Sequence, residues 1–198
     1  MKKEDLRITK TKRDLRYAIV ELLKTNQFEK ITVGDICDKA MVNRMTFYKH
    51  FNDKYDLLEH TINFLVQDLL IKASEITKPN DNYDEFVNFC VVLSKMIIKE
   101  SIAQKDEFKA LYMSDSGIVY DIITKTIRKY IEMLVVGLAK IRKPKYSIKT
   151  ITEFLSGGII HLLCYWMLHL NDSDTKQFSD ECTRFAQELF KSGMFFEE

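Results

Sequence analysis

The stretch from Thr32 to Lys54 is crowded with hydrogen-bond donors: Thr32, Asn43, Arg44, Thr46, Tyr48, Lys49, His50 and Lys54. Crowded together in this way, such donors suit the binding of a polar surface. Hydroxyl and ammonium groups grip phosphate oxygens, while a guanidinium or carboxamide can pair with two atoms on one base edge. Catalytic spacing is absent elsewhere: there is no phosphate-binding Gly loop, no HExxH, no GxSxG and no paired-carboxylate or Cys/His constellation. His60, His161 and His169 are separated by scaffold residues. The sequence therefore predicts no enzyme, no metal and no cofactor.

The elements that must position the donors are two short helices and a tight turn, Ile31 to Phe51. Thr32 followed by Asp35 is a capping-box start, in which the hydroxyl accepts an orphan N–H of the first turn. Ile36, Cys37 and Ala40 then form an apolar face, with Asp35, Asp38 and Lys39 left to solvent. A second helix is expected from Asn43 to about His50. Val42, Phe47 and Phe51 turn inward, which leaves the donors outside. Ahead of this pair, Leu15, Ala18, Ile19, Leu22 and Leu23 mark a bracing helix from about Thr9 to Thr25. Its basic leading arm, Lys2, Lys3, Arg7, Lys10, Lys12 and Arg13, can reach DNA phosphates or stay a solvated tail. Behind it, Asn52 and Asp53 supply a turn and cap for a long helix from Lys54 to about Ser74, roughly 30 Å at the usual rise. Charge follows the same division. Residues 1 to 54 hold 13 Lys/Arg against 8 Asp/Glu, and the remainder 17 against 21, so a +5 end precedes a −4 end.

The run VNRMTFYKHFNDKYDLL, Val42 to Leu58, behind the capped helix at Thr32, resembles the amino-terminal domain of the tetracycline-repressor (TetR/AcrR) family of bacterial transcription regulators. The resemblance covers about Thr9 to Leu58 and includes the TxYxxF segment as Thr46, Tyr48 and Phe51, followed by Lys54. It implies a helix-turn-helix that reads double-stranded DNA. On this reading Arg44 and Asn43 are candidates for base edges, Asn43 also being a natural N-cap. Thr32, Thr46, Tyr48, Lys49, His50 and Lys54 are assigned to phosphates. The chain departs from the family where Met41 and Met45 stand in place of Gly, in the turn and within the recognition helix. A left-handed Met would cost about 1 kcal/mol or more, enough to reshape the turn. Met45 adds an apolar arm that can touch a thymine methyl or push the helix outward.

The rest of the chain predicts an all-α protein of about nine helices, with the helix-turn-helix domain at residues 1–53 and a larger regulatory and dimerisation domain at 54–198. Only two Pro and six Gly interrupt 198 residues that are 46% hydrophobic. After the Pro79 to Asn82 loop, helices are expected at about Tyr83 to Glu100, Gln104 to Met113 and Gly117 to Ile141. Pro144 then breaks the chain and Ser147 caps the next helix. That helix is apolar nearly all round between Phe154 and Leu170, too short and too interrupted to span a membrane, so burial on both sides is expected. Gly157 and Gly158 suggest a close helix approach. A last amphipathic helix runs from Asp174 to Lys191.

The resemblance implies that the last two helices of each of two subunits form a four-helix homodimer interface, here Leu155, Gly158, Ile159, Leu162, Trp166, Phe178, Cys182, Phe185 and Leu189. Pocket linings for a small, largely apolar or aromatic effector are offered by Phe89, Met96, Phe108, Tyr112, Met113, Tyr120, Ile123, Phe154, His161 and Trp166. The same aromatic and Met positions fit plain core packing. Cys37, Cys90, Cys164 and Cys182 are widely spaced, which fits reduced core thiols in a cytoplasmic protein without a secretory leader. The function expected is a sequence-specific DNA-binding transcription regulator, a repressor released from a palindromic operator by a small-molecule effector. The alternatives are an activator, or a protein-binding co-regulator with weak DNA recognition of its own.

Overall fold

The computed structural model describes residues 6–113, 117–169 and 172–197. Among the described residues there are nine α-helices and one short 3-10 turn. They are α1 (Leu6–Leu23), the turn Phe28–Lys30, α2 (Val33–Ala40), α3 (Arg44–Tyr48), α4 (Lys54–Ile76), α5 (Tyr83–Ala103), α6 (Lys105–Tyr112), α7 (Gly117–Ile141), α8 (Ile148–His169) and α9 (Asp172–Lys191). The all-α architecture agrees with the sequence reading, and α7 has the bounds that periodicity predicts. The first helix begins earlier than expected and takes in Arg7, Lys10, Lys12 and Arg13, so these cations lie on α1 and not on a leading arm. Lys2 and Lys3 lie outside the described residues.

Two compact units can be distinguished. The first takes in the described residues up to Phe64 together with Asp106–Ile123; the second takes in Leu65–Lys105 and the residues from Thr124 onward. In the first, Leu15, Ala18, Ile19 and Leu23 recur on one side of α1, the spacing that turns a helical stripe inward. Against this stripe pack Phe28, Ile36, Cys37, Phe47, Phe51, Leu57 and Leu58, all buried. Burial of a large side chain of this kind contributes about 1.5 to 3 kcal/mol, so the short α2 and α3 are held by tertiary packing, which helices of such length require.

The second unit has a core of Tyr83, Val87, Val91, Val135, Leu138, Ile151, Leu155, Phe195 and Phe196, with a smaller cluster of Ala73, Phe89 and Leu93. The Phe86 ring of α5 packs against Gly137 of α7, where a Cβ would come within 2.5 Å of it. The C-terminal segment joins this core through backbone pairing: Lys145 N donates to Phe195 O at 2.8 Å and Glu197 N to Lys143 O at 2.9 Å. A 2.8 Å ion pair between Lys143 and Glu197 accompanies it. Helix α8 differs from expectation. The unit buries Ile151, Leu155 and Trp166 but leaves Phe154, Ile159, Tyr165 and Leu168 exposed, because its own helices cover only one side of α8. Gly157 and Gly158 face open space within the chain, with nothing within 4 Å of a Cβ at either. All four cysteines are free thiols, and burial pushes that of Cys90 up to about 12. No helix among the described residues is long and apolar enough to cross a membrane.

Candidate nucleic-acid interface

The site is built on α2, the turn and α3. Thr32 closes a full capping box: its hydroxyl accepts from Asp35 N at 3.2 Å, and Asp35 Oδ2 accepts from Thr32 N at 2.8 Å and from the hydroxyl at 2.7 Å. These bonds, with a smaller contribution from Arg44, hold the Asp35 carboxyl below its ordinary value. Thr32 thus has both polar groups engaged, and the α2 start offers an anion the N–H groups of Val33 and Gly34, which helix geometry leaves without an intrahelical acceptor.

The turn is not reshaped by its methionine. Met41 adopts φ 54°, ψ 41°, the left-handed region, and is the C-cap of α2, with its N–H directed to Asp38 O and Cys37 O. Asn43 then caps α3, its Oδ1 accepting from Thr46 N at 2.7 Å. The N-cap role open to Asn43 is therefore filled, which leaves its amide NH2 as the part that can face a base. Phe47 anchors the recognition helix in the core and meets Tyr48 edge to face at 5.4 Å and Phe51 at 5.8 Å. Around that anchor Arg44, Met45, Tyr48 and Lys49 are exposed, and Thr46 and His50 are half-buried.

Two residues have roles that the sequence did not suggest. Lys54 was expected on a phosphate, but its ammonium donates to the carbonyls of Phe28 at 2.9 Å, Glu29 at 3.0 Å and Ile31 at 2.9 Å. Three donors meet three acceptors, so the side chain closes the 3-10 turn and has no proton left for DNA. It also lies over the Phe28 ring at 4.7 Å, and burial pulls its pKa down. Gly34 is the second. A Cβ there would fall 2.5 Å from an Nη of Arg44, so the absence of a side chain makes the berth in which the guanidinium lies over the start of α2. The available signal was a Gly inside the first turn of an otherwise well-formed helix.

The residues suggested for a pocket are divided between the two units. Phe108, Met113, Tyr120 and Ile123 fall in the first unit, Met113 and Tyr120 exposed. In the second unit, Phe89 is core, with Met96 packed against its cluster, while Phe154 and His161 are exposed. The side chain of Tyr112 lies outside the described residues. Trp166, expected in both pocket and dimer interface, is buried in the second unit, where Nε1 donates to Thr175 Oγ1 at 3.1 Å. Leu155 is also core. The other suggested interface residues divide into exposed Gly158, Ile159 and Phe185 and half-buried Leu162, Phe178, Cys182 and Leu189. An open depression of about 580 Å³ lies along α9 beside Lys176, Gln177, Asp180, Glu181 and Arg184, none of them in the suggested pocket.

Residues 16–61 match the family model for bacterial regulatory proteins of the tetR family. A curated relative, the uncharacterized HTH-type transcriptional regulator YxbF of Bacillus subtilis (strain 168), is 30% identical over 81 residues, which is 40% of this chain and 21% of that protein. The chain thus matches about a fifth of that relative's length. Among solved structures, the fatty acid degradation regulator FadR from Bacillus halodurans superposes with a TM-score of 0.66 at 15% identity, covering 99% of this chain and 100% of that one. A protein assigned as a TetR-family transcriptional regulator from Syntrophomonas wolfei reaches 0.70 at 12% identity, covering 92% and 96%. These structures share the fold over nearly the whole chain, and the sequence match falls on the helix-turn-helix itself. Over residues 16–61 the chain is similar to bacterial regulatory proteins of the tetR family, and over nearly its whole length it has the fold of these two solved structures.

Proposed function

We propose that the protein is a sequence-specific DNA-binding transcription regulator acting as a cytoplasmic homodimer, with residues 1–53 reading DNA and 54–198 handling dimerisation and signal. The observation that carries this reading is the outer face of α3. Arg44, Tyr48 and Lys49 are exposed around a helix whose inner side is fixed by Phe47. A rigid anchor and a donor-rich outer face are what register on phosphates and readout of bases require. Arg44 and the Asn43 amide are assigned to bases, and Thr46, Tyr48, Lys49 and His50 to phosphates, with the α2 N–H groups in place of the Thr32 and Lys54 side chains.

The dimer is supported by the apolar face that one chain leaves open on α8, to which Phe185 of α9 adds another exposed aromatic. Two such chains would present two recognition helices to successive major grooves about 34 to 36 Å apart, on a pseudo-palindromic site. Repression relieved by an effector follows if a small apolar or aromatic molecule binds an arrangement that cannot span those grooves. The similar FadR is described as regulating fatty acid degradation, which makes acyl compounds a first class to screen. Selection from random duplex DNA, followed by titration of the enriched site at two salt concentrations, tests the proposal. An enriched palindrome with a steep salt slope is expected. Salt-dependent binding without enrichment would favour a protein-binding co-regulator, the reading that the exposed Met41 and Met45 also allow.

A further inference from the structure

Met41 and Met45 are the most exposed apolar side chains of the helix-turn-helix, at 92% and 73%. Folding accounts for neither. Met41 is the one non-glycine residue with positive φ among the described residues, a conformation in which its Cβ is unfavourable and a glycine would be at ease. Its side chain gains almost no burial in return. A strained backbone bearing an exposed apolar group is the kind of local conflict that concentrates at binding surfaces. Met45 lies in the first turn of α3, three and four residues before Tyr48 and Lys49, so the three share one side of the helix. Beside Met45 the Arg44 guanidinium lies over Gly34, and Asn43 Oδ1 holds Thr46 N.

In the major groove the apolar feature of a base edge is the thymine 5-methyl group. A thioether on an unbranched chain adapts to such a contact, and the cation Lys49, at the C-cap of the same short helix, complements the phosphates that flank the groove. We propose that Met45, seconded by Met41, reads thymine methyl groups, so that the preference of this protein is set partly by apolar contact. The inference rests on the DNA-reading function proposed above, and the chemistry required of the partner is duplex DNA carrying a 5-methylpyrimidine at defined positions of each half-site.

The test uses the full chain and its selected site. Each thymine is replaced singly by deoxyuridine, which removes the methyl group and nothing else. At one or two positions per half-site Kd should rise about fourfold, the worth of one buried methyl group. In Met45→Ala that difference should vanish, and in Met45→Leu it should persist. Both variants alter an exposed side chain, and a melting curve monitored by circular dichroism verifies that they fold. Equal affinity for thymine and deoxyuridine sites, or a methyl effect undiminished in Met45→Ala, overturns the inference while leaving DNA recognition standing. A protein that enriches no sequence overturns both together.

Discussion

The guanidinium of Arg44 rests over Gly34: a Cβ on Gly34 would lie 2.5 Å from its Nη and 3.4 Å from its Cζ. The first residue of the recognition helix is thus seated on the first turn of the helix before it, and the space is supplied by a missing side chain. Gly34→Ala should leave the fold intact. The obstructing atoms are the far end of a flexible side chain, and Ala is favoured over Gly in a helix by up to about 1 kcal/mol. The melting temperature should hold or rise while affinity for the selected site changes. In an Arg44→Ala background the same substitution should leave affinity unchanged, a double-mutant cycle that isolates the contact. Additive effects on binding would show that Gly34 acts without Arg44.

Lys54 gives a stability prediction. Removing its ammonium in Lys54→Met takes a donor from three carbonyls at the end of the 3-10 turn, of which Phe28 O keeps the N–H of Ile31, and two of the lost bonds are partly buried. Loss of a partner at a buried polar group costs about 1 to 3 kcal/mol, and urea denaturation should show a fall in that range. Lys54→Arg should fail to restore it, because a planar guanidinium cannot converge on three acceptors as a compact ammonium does. A purely DNA-facing lysine would instead leave stability unchanged.

How far these features could be read in the sequence depends on what sets each of them. The period of Leu15, Ala18, Ile19 and Leu23 is set by burial, and burial is written in residue type. The Thr32 capping box and the Asn43 cap act over three residues, so local sequence contains all their partners. Lys54 reaches carbonyls 23 to 26 residues away, and nothing near it announces them. The pairing of Phe195 and Glu197 with the loop near Pro144 was missed for the same reason. The exposed side of α8 was read as buried because apolar residues on every face look alike whether a helix is covered by its own chain or by something else.

Asp35 predicts a pH dependence. Bonds from Thr32 lower its folded pKa, with Arg44 adding a smaller part, so the stabilisation is fully present above the ordinary value of 3.8 and is lost as pH falls through the lower folded value. Asp35→Asn keeps an acceptor for the Thr32 N–H but cannot titrate. Wild type should therefore be the more stable of the two at neutral pH, and the difference should shrink on acidification below 3.8. Parallel stability curves across that window would show that the Asp35 charge contributes nothing to the cap.

The exposed aromatics of the last two helices predict an assembly. Phe185 is 57% exposed and Tyr165 47%, on helices whose other sides are packed within the second unit. A charge placed on either would be desolvated in a self-complementary interface and would be harmless at a free surface. Phe185→Glu and Tyr165→Glu should each shift the protein to a monomer by sedimentation or light scattering while helix content stays unchanged. A dimer that survives both substitutions would remove these faces from the interface.

The C-terminal segment should be part of the fold in spite of its position. Phe196 is 1% exposed, meets the Tyr83 ring at 5.8 Å, and lies beside the backbone bonds that join the segment to Lys143 and Lys145. Tyr83 is in turn covered by Arg142 at 3.9 Å and donates its hydroxyl to Phe190 O at 3.0 Å. Phe196→Ala removes the ring on which this cluster closes and should cost about 3 to 5 kcal/mol, the range for truncating a buried aromatic. Lys143→Ala removes only an exposed, solvent-screened ion pair with Glu197 and should leave the unfolding midpoint nearly unchanged. If the two variants unfold at similar denaturant concentrations, the segment is held by its charges and not by its buried ring.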